Sequence, residues 1–301
     1  MKRLLTAALA ATVLLLGGCA GGDEQKAQPA ASAGGSAFPA SAGGVTLDRR
    51  PERIVSLAPT ATEMLFAIDA GPQVVAVDDQ STYPADAPRS ELSGFKPNAE
   101  AIAAKDPDLV VISDDLNKIV DQLTKLKIPV LLAPAAQELD DSYAQIGQLG
   151  TLTGHPAEAA ALVEHMRTDI DKIVKGVPAR PAPPSYYYEL DPTYYTVTSQ
   201  TFVGSIFARF GLTNVADGAK TAYPQLSQEA LVAADPDMIF LADGKCCAQS
   251  AATVRARKGW AGVTAVKNNQ IVVLDDDIAS RWGPRVVDLV RAVADAVAKA
   301  P

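Results

Sequence analysis

From Arg53 onward, short apolar runs alternate with longer stretches in which apolar positions recur every three or four residues. The runs "RIVSL", "VVAVD", "LVVIS" and "VLLA" are apolar without a break, the pattern of strands covered on both faces. Between them "TATEMLFAI", "NAEAIAAKD", "LNKIVDQLTKL" and "DDSYAQIGQLGTL" predict helices, the first opened by a Thr cap. Together they predict one α/β lobe over 45–154 with a mainly parallel sheet flanked by helices. In "HPAEAAALVEHMRTDIDKIVKGV", Val163, Met166, Ile170, Ile173, Val174 and Val177 form a single stripe at helical spacing. One helix of about 20 residues, roughly 30 Å long, therefore leads onward. The prolines of "VPARPAPP" stop it, so connector and Pro-rich linker occupy 155–184. A second α/β lobe follows over 185–301. Its strands are "SYYYEL", "MIFLA" and "QIVVLD", and its helices are "TFVGSIFARFG", "SQEALVAAD" and a short "TVRARKGWAG". "PRVVDLVRAVADAVAKA" closes the chain, with Pro284 in the first turn of that helix.

The two lobes share a phrase. "EAIAAKDPDLVVIS" (100–113) returns 129 residues later as "EALVAADPDMIFLA" (229–242), with six of fourteen positions identical and the rest mostly one small or apolar residue for another. "TEMLFAIDAGPQVVAV" and "VGSIFARFGLTNVADG" correspond in the same way, each a helix ended near Gly71 or Gly211. The expected architecture is thus two similar lobes joined by one long interlobe helix.

The N-terminus adds an address. Lys2 and Arg3 precede thirteen apolar residues, too few to span a bilayer comfortably, and then "LGGC". This is the layout of a signal peptide over 1–18 with a bacterial lipobox, Cys19 receiving the lipid. Residues 19–44, rich in Ala, Gly, Ser and Pro, read as a flexible tether. The expected location is extracytoplasmic, anchored to the cell membrane through Cys19. The net charge of −8 excludes a nucleic-acid partner, because phosphate binding needs a basic surface.

With its lipobox, tether, "RIVSLAPTATEMLFAI", "NAEAIAAKDPDLVVIS", linking helix and final "SRWGPRVVD", the chain resembles periplasmic-type substrate-binding proteins of the iron-siderophore, haem and vitamin B12 class. The resemblance covers about Val45 to the C-terminus. It implies a ligand held between the lobes at the carboxyl ends of the strands, which is also the general rule for open α/β sheets. It also implies small closure about a single rigid helix. Glu100 and Glu229 hold the motif position that docks onto arginines of the membrane permease in such proteins. Their other reading is as acids favouring a helix N-terminus, each two residues beyond a capping Asn98 or Ser227. Both roles are compatible.

Loops after the strands supply the candidate ligand contacts. Tyr83, Phe95 and Tyr223 offer aromatic faces from both lobes to a large flat or ring-shaped ligand, the alternative being that each packs its own loop. "DDDIASRWGPR" brings Arg281, Trp282 and Arg285, forks and a stacking face suited to an anionic chelate. Arg285 has the alternative of pairing internally, and Asp275–Asp277 that of holding the arginines rather than a cation. Cys246 and Cys247 are open between a vicinal disulfide, which adjacent cysteines form rarely, and ligation of a ligand's metal. His155 and His165, the only histidines, fall at or in the connector, and no His, Cys and carboxylate cluster has metal-site spacing. No resident cofactor or metal is expected; any iron or cobalt belongs to the ligand. No G-x-S-x-G, P-loop or G-x-G-x-x-G occurs.

The expected function is capture of a ferric siderophore or a corrinoid by a monomer that delivers it to an ABC permease and its ATPase subunits, with no reaction catalysed. Anionic ferric siderophores suit a cationic loop, and a corrinoid suits a mostly aromatic, otherwise neutral pocket. Two rivals stand beside it. One is a tethered sensor signalling to a membrane partner. The other is an extracellular enzyme using Asp277 or Glu189 as acid or base.

Overall fold

The structure, a computed structural model, describes residues 38–178 and 182–300. The signal segment, Cys19 and most of the expected tether lie outside the described residues. The first lobe comprises β1 (Ala40–Ala42), β2 (Val45–Leu47), β3 (Ile54–Ser56), α1 (Pro59–Ala67), β4 (Val74–Val77), α2 (Ala99–Ala103), β5 (Leu109–Ile112), α3 (Ile119–Lys125), β6 (Val130–Leu132) and α4 (Leu139–Thr153). The connector is α5 (Pro156–Gly176). The second lobe comprises β7 (Ser185–Glu189), α6 (Phe202–Ala208), β8 (Thr213–Asn214), α7 (Gln228–Ala234), β9 (Met238–Leu241), α8 (Gly244–Cys247) and α9 (Ala251–Arg255). It ends with α10 (Thr264–Lys267), β10 (Ile271–Val273), α11 (Asp276–Ala279) and α12 (Val286–Lys299).

Both main sheets are parallel throughout, ordered β4-β3-β5-β6 and β8-β7-β9-β10. Numbered within each lobe, that is the same order twice, second-first-third-fourth. The repeated phrase is α2 to β5 in one lobe and α7 to β9 in the other, and its "DPD" does the same work in both. Asp106 and Asp235 take positive φ (49° and 44°) before their prolines, where the right-handed helical region is crowded and Asp tolerates the left-handed one. Asp108 then accepts from the backbone N–H groups of Glu52 and Arg53, both at 2.9 Å. Asp237 likewise accepts from Ser185 N–H at 2.8 Å. Each second Asp thereby ties the start of the lobe's third strand to that of its first.

Helices cover both faces of each sheet. Ile102 of α2 and Ile119 and Leu123 of α3 pack one face of the first sheet. Leu231, Val254 and Trp260 pack the corresponding face of the second. The opposite faces share one continuous apolar core that runs from α1 and α4 through Met166 and Ile170 of α5 to α12. The connector stripe read from the sequence is therefore the seam of that core.

Four local expectations need correction. The tether does not extend to Gly44: Ala40–Leu47 forms an antiparallel hairpin beside α4. Gly43 and Gly44 supply the positive φ (56° and 77°) that its tight turn requires, and Ala40 is buried. α1 has no Thr cap. It starts at Pro59 behind Ala58, and Thr62 turns inward to donate to Ser56 Oγ at 2.8 Å. Pro284 precedes α12 rather than lying in its first turn, with Arg285 as the capping residue. "TVRARKGWAG" is not one helix, because α9 ends at Arg255 and Gly259 turns left-handed (φ 83°) before a 3-10 turn at Trp260–Gly262.

Candidate functional site between the lobes

Parallel strands place all their outgoing loops at one end of each sheet, and contacts across the lobes show that these two ends face one another. The junction is built on Glu63. It sits in α1 among Thr60, Ala61, Thr62, Met64 and Leu65, all buried, and its side chain is 1% exposed. A carboxylate there requires partners, and two arginines from the loop before α12 provide them. Arg281 Nη1 donates to Oε1 at 2.8 Å, Arg285 Nε to Oε2 at 2.9 Å, and Arg285 Nη2 to Oε1 at 2.5 Å. Arg281 also donates to Asp277 Oδ1 at 2.9 Å and, across the lobes again, to the Gln80 carbonyl at 3.1 Å. Trp282, between the arginines, donates its indole N–H to Gln145 at 2.9 Å and accepts from the Ser142 hydroxyl at its carbonyl, both on α4.

Arg285 is thus paired internally, the alternative read for it from the sequence, and Arg281, expected among the ligand contacts, is paired across the lobes as well. Their side chains are 10% and 19% exposed, and two nitrogens of each guanidinium donate to Glu63, Asp277 or the Gln80 carbonyl. Trp282 is half-buried and fastened to the opposite lobe. The hydrogen bond to Glu63 holds the Arg285 guanidinium further above its ordinary value, so it stays charged. The same guanidinium lies 4.4 Å from the centre of the Tyr83 ring.

The aromatics expected from the sequence are exposed in these loops: Tyr83 48%, Phe95 74% and Tyr223 54%. Phe95 is presented by Gly94, where a Cβ would collide with the Leu57 carbonyl and crowd Asp78, so only glycine lets this loop lie against β3. Asp78 is buried and accepts from Ser81 Oγ at 2.5 Å. Burial raises its pKa, and the Ser81 hydrogen bond opposes that rise. Tyr195, in the loop after β7, is a fourth exposed aromatic. The sequence reading passed over it, although "DPTYY" follows the first strand of its lobe as Tyr83 follows the second strand of the other.

Beside the arginine loop stands an acidic cluster. Lys245 Nζ pairs with Asp275 at 2.8 Å and Asp277 at 3.0 Å. Cys246 and Cys247 form a vicinal disulfide, which closes the alternative of thiolate ligation in this structure. Behind it, Glu189 at the end of β7 takes both arms of Arg257, at 2.6 and 2.5 Å. Asp243 is fully buried, and neither carboxylate oxygen has a hydrogen-bond donor. Burial, then the neighbouring Glu189, push its pKa up to about 7, against the pull of Arg257.

Glu100 and Glu229 are exposed in the first turns of α2 and α7. The expected caps are present: Asn98 accepts from Ala101 N–H at 2.9 Å and Ser227 from Ala230 N–H at 3.1 Å. Both helices begin on the side where strands end, so the two acids share the face of the interlobe opening. His155 sits at the start of α5 but does not cap it, being bound instead to Gln73 and Arg50. His165 is exposed. Among the described residues no group of three or more His, Cys, Asp or Glu is arranged to hold a metal ion, and no helix is long and apolar enough to cross a membrane. A separate cavity of about 320 Å³ lies between α4, α5 and α6. Its arginines are spent on Asp140 and Asp171, and with Glu138 also in the lining the acids outnumber them.

A family model described as periplasmic binding protein matches residues 54–278. The ABC transporter substrate-binding lipoprotein YvrC of Bacillus subtilis is 30% identical, covering 84% of this chain and 82% of that protein. A cobalamin-binding protein of Halobacterium salinarum is 32% identical, covering 84% of this chain and 71% of its own. The crystal structure of the periplasmic vitamin B12 binding protein BtuF of Vibrio cholerae superposes with a TM-score of 0.68 at 26% identity, over 82% of this chain and 96% of that one. The resemblance carried by "SLAPTATE" and "PDLVVIS" is borne out: the chain belongs to the periplasmic binding protein family.

Proposed function

We propose that this protein captures a corrinoid in the opening between its lobes and delivers it to an ABC permease and its ATPase subunits. The observation that carries the choice of ligand is the Glu63 junction. With Arg281 and Arg285 paired by Glu63 and Asp277, the opening offers exposed aromatics from both lobes and neither guanidinium as an uncompensated charge. An anionic ferric siderophore needs that charge. The broad apolar faces and amide fringe of a corrinoid do not, and Tyr83, Phe95, Tyr223 and Tyr195 supply stacking area at small entropic cost. The cobalamin- and vitamin B12-binding names of the relatives favour the same ligand.

Capture is non-covalent, no resident cofactor is needed, and any cobalt arrives with the ligand. Glu100 and Glu229, at equivalent places on the two lobes, are assigned to docking on basic residues of the permease, where charge pairs also speed encounter. The lipid anchor on Cys19 would hold the protein at the outer side of the cell membrane, as the lipoprotein name of the Bacillus relative suggests. The test is an equilibrium titration of the purified protein against cyanocobalamin, cobinamide, haem and a ferric catecholate. The reading requires a corrinoid Kd below about 10 μM, near −7 kcal/mol, and at least about tenfold weaker binding of the ferric catecholate. Preference for the anionic chelate would overturn it.

A further inference from the structure

The Cys246–Cys247 disulfide lies in α8, a four-residue helix directly after β9 on the side of the opening. A helix this short does not hold itself together, since four residues close almost no internal hydrogen bonds. Besides the backbone bonds of Cys247 and Gln249 to the Asp243 carbonyl, its shape depends on two restraints. One is the covalent ring between the adjacent cysteines. The other is Asp276 of α11, whose Oδ2 accepts from the backbone N–H groups of Lys245 and Cys246, both at 2.9 Å. From α8 a chain of charges leads to the other lobe. Lys245 pairs with Asp275 and Asp277, Asp277 pairs with Arg281, and Arg281 pairs with Glu63. Cys246 is exposed to solvent and Cys247 half-exposed, so an external thiolate has access.

We propose that Cys246–Cys247 is a thiol–disulfide exchange site for an external dithiol, and that its redox state sets how firmly the α8–α11 loops brace the interlobe junction. A thiolate of the dithiol attacks the exposed Cys246 sulfur, forming a mixed disulfide and releasing Cys247 as a thiolate, which takes up a proton. The second thiol of the reagent, deprotonated in turn, attacks its own sulfur in the mixed disulfide and releases Cys246. The protein disulfide gains two electrons and two protons, and the dithiol becomes a cyclic or intramolecular disulfide. With the ring opened, α8 is shaped only by Asp276 and by the backbone bonds of Cys247 and Gln249 to the Asp243 carbonyl. Lys245 is then less well placed to hold Asp275 and Asp277, and Arg281 loses part of its support. The consequence for ligand capture rests on the proposed function of the opening, but the exchange and the loosening do not.

The experiment treats the purified, air-oxidised protein with dithiothreitol under native conditions, removes the reagent, and counts thiols colorimetrically against an untreated sample. Hydrogen–deuterium exchange is then followed over 244–249 and 275–281. Two additional thiols per chain are expected without denaturant, with exchange over both segments accelerated at least about threefold and the α4 peptides unchanged. A second arm uses the Cys246→Ser/Cys247→Ser double variant, which should exchange at the faster rate with or without dithiothreitol. The proposal is overturned if the thiols appear only in denaturant. It is equally overturned if reduction leaves 275–281 unchanged, or if the double variant exchanges like the oxidised parent. None of these readouts uses a ligand, so failure to bind a corrinoid and failure of the exchange site are separate results.

Discussion

Removing the Glu63 carboxylate is the sharpest perturbation of the interlobe junction. Glu63→Ala strands two guanidinium groups that are 10% and 19% exposed, one of them still held by Asp277 and the Gln80 carbonyl. Breaking a buried ion pair from one side costs about 3–5 kcal/mol, because the remaining charge stays desolvated. Asp277 compensates Arg281 in part, which points to the lower end of that range. For a chain of this size about 3 kcal/mol lowers the thermal midpoint by roughly 5 °C. Replacing the ions together, as Glu63→Met with Arg281→Met and Arg285→Leu, removes the desolvation cost along with the pairing and should restore most of the loss. Calorimetric melting of parent, single and triple variants reads the stability. Small-angle scattering of the same samples reads the lobe separation, which should widen only in the single variant. A Glu63→Ala protein that melts within 2 °C of the parent and scatters identically would refute the view that this junction holds the lobes together.

The other expectations follow from the same geometry. Asp243 keeps its proton in the folded chain up to about pH 7 and gives it up near pH 4 when unfolded, so its contribution to stability is complete below pH 4 and lost as pH rises towards 7, at up to about 1.4 kcal/mol per unit. Asp243→Asn, neutral throughout, should therefore gain stability relative to the parent between pH 5 and pH 8 in denaturant titrations, and an advantage that grows towards acid pH would contradict this. Phe95→Ala and Tyr223→Ala remove exposed rings and should leave melting unchanged while each weakens corrinoid binding by about 1–3 kcal/mol, roughly 5- to 150-fold. Glu100→Arg combined with Glu229→Arg should abolish corrinoid uptake by cells while the purified variant binds with parental affinity. Intact uptake with lost signalling would favour a sensor instead.

The two-lobe plan was legible because it is written in local patterns: unbroken apolar strands, one striped connector, and a phrase stated twice. The "DPD" of that phrase proved to be a turn and a strand tie in both lobes, roles that depend on nearby backbone. What escaped the sequence is long-range pairing. Glu63 meets Arg285 across 222 positions, and nothing local in "SRWGPR" tells a paired arginine from a ligand-facing one. A signal was present on the other side, since the glutamate of "TATEMLFAI" has buried neighbours before and after it, from Thr60 to Leu65, and must find a cation. The loop aromatics Tyr83, Phe95 and Tyr223 are exposed, because rings at the tips of loops after parallel strands have few other elements to pack against. The hairpin at Ala40–Leu47 was masked by composition: the Gly43–Gly44 pair that reads as slack is the turn residue pair of a hairpin.

The central claim, that facing strand ends of two equivalent lobes jointly enclose a corrinoid, is tested most directly by the hydrogen-exchange footprint of cobinamide or cyanocobalamin at saturation. The account predicts protection over 80–97 in the first lobe together with 191–200 and 220–227 in the second, with one ligand per chain. Protection confined to a single lobe, or centred on the crevice between α4, α5 and α6, would contradict it.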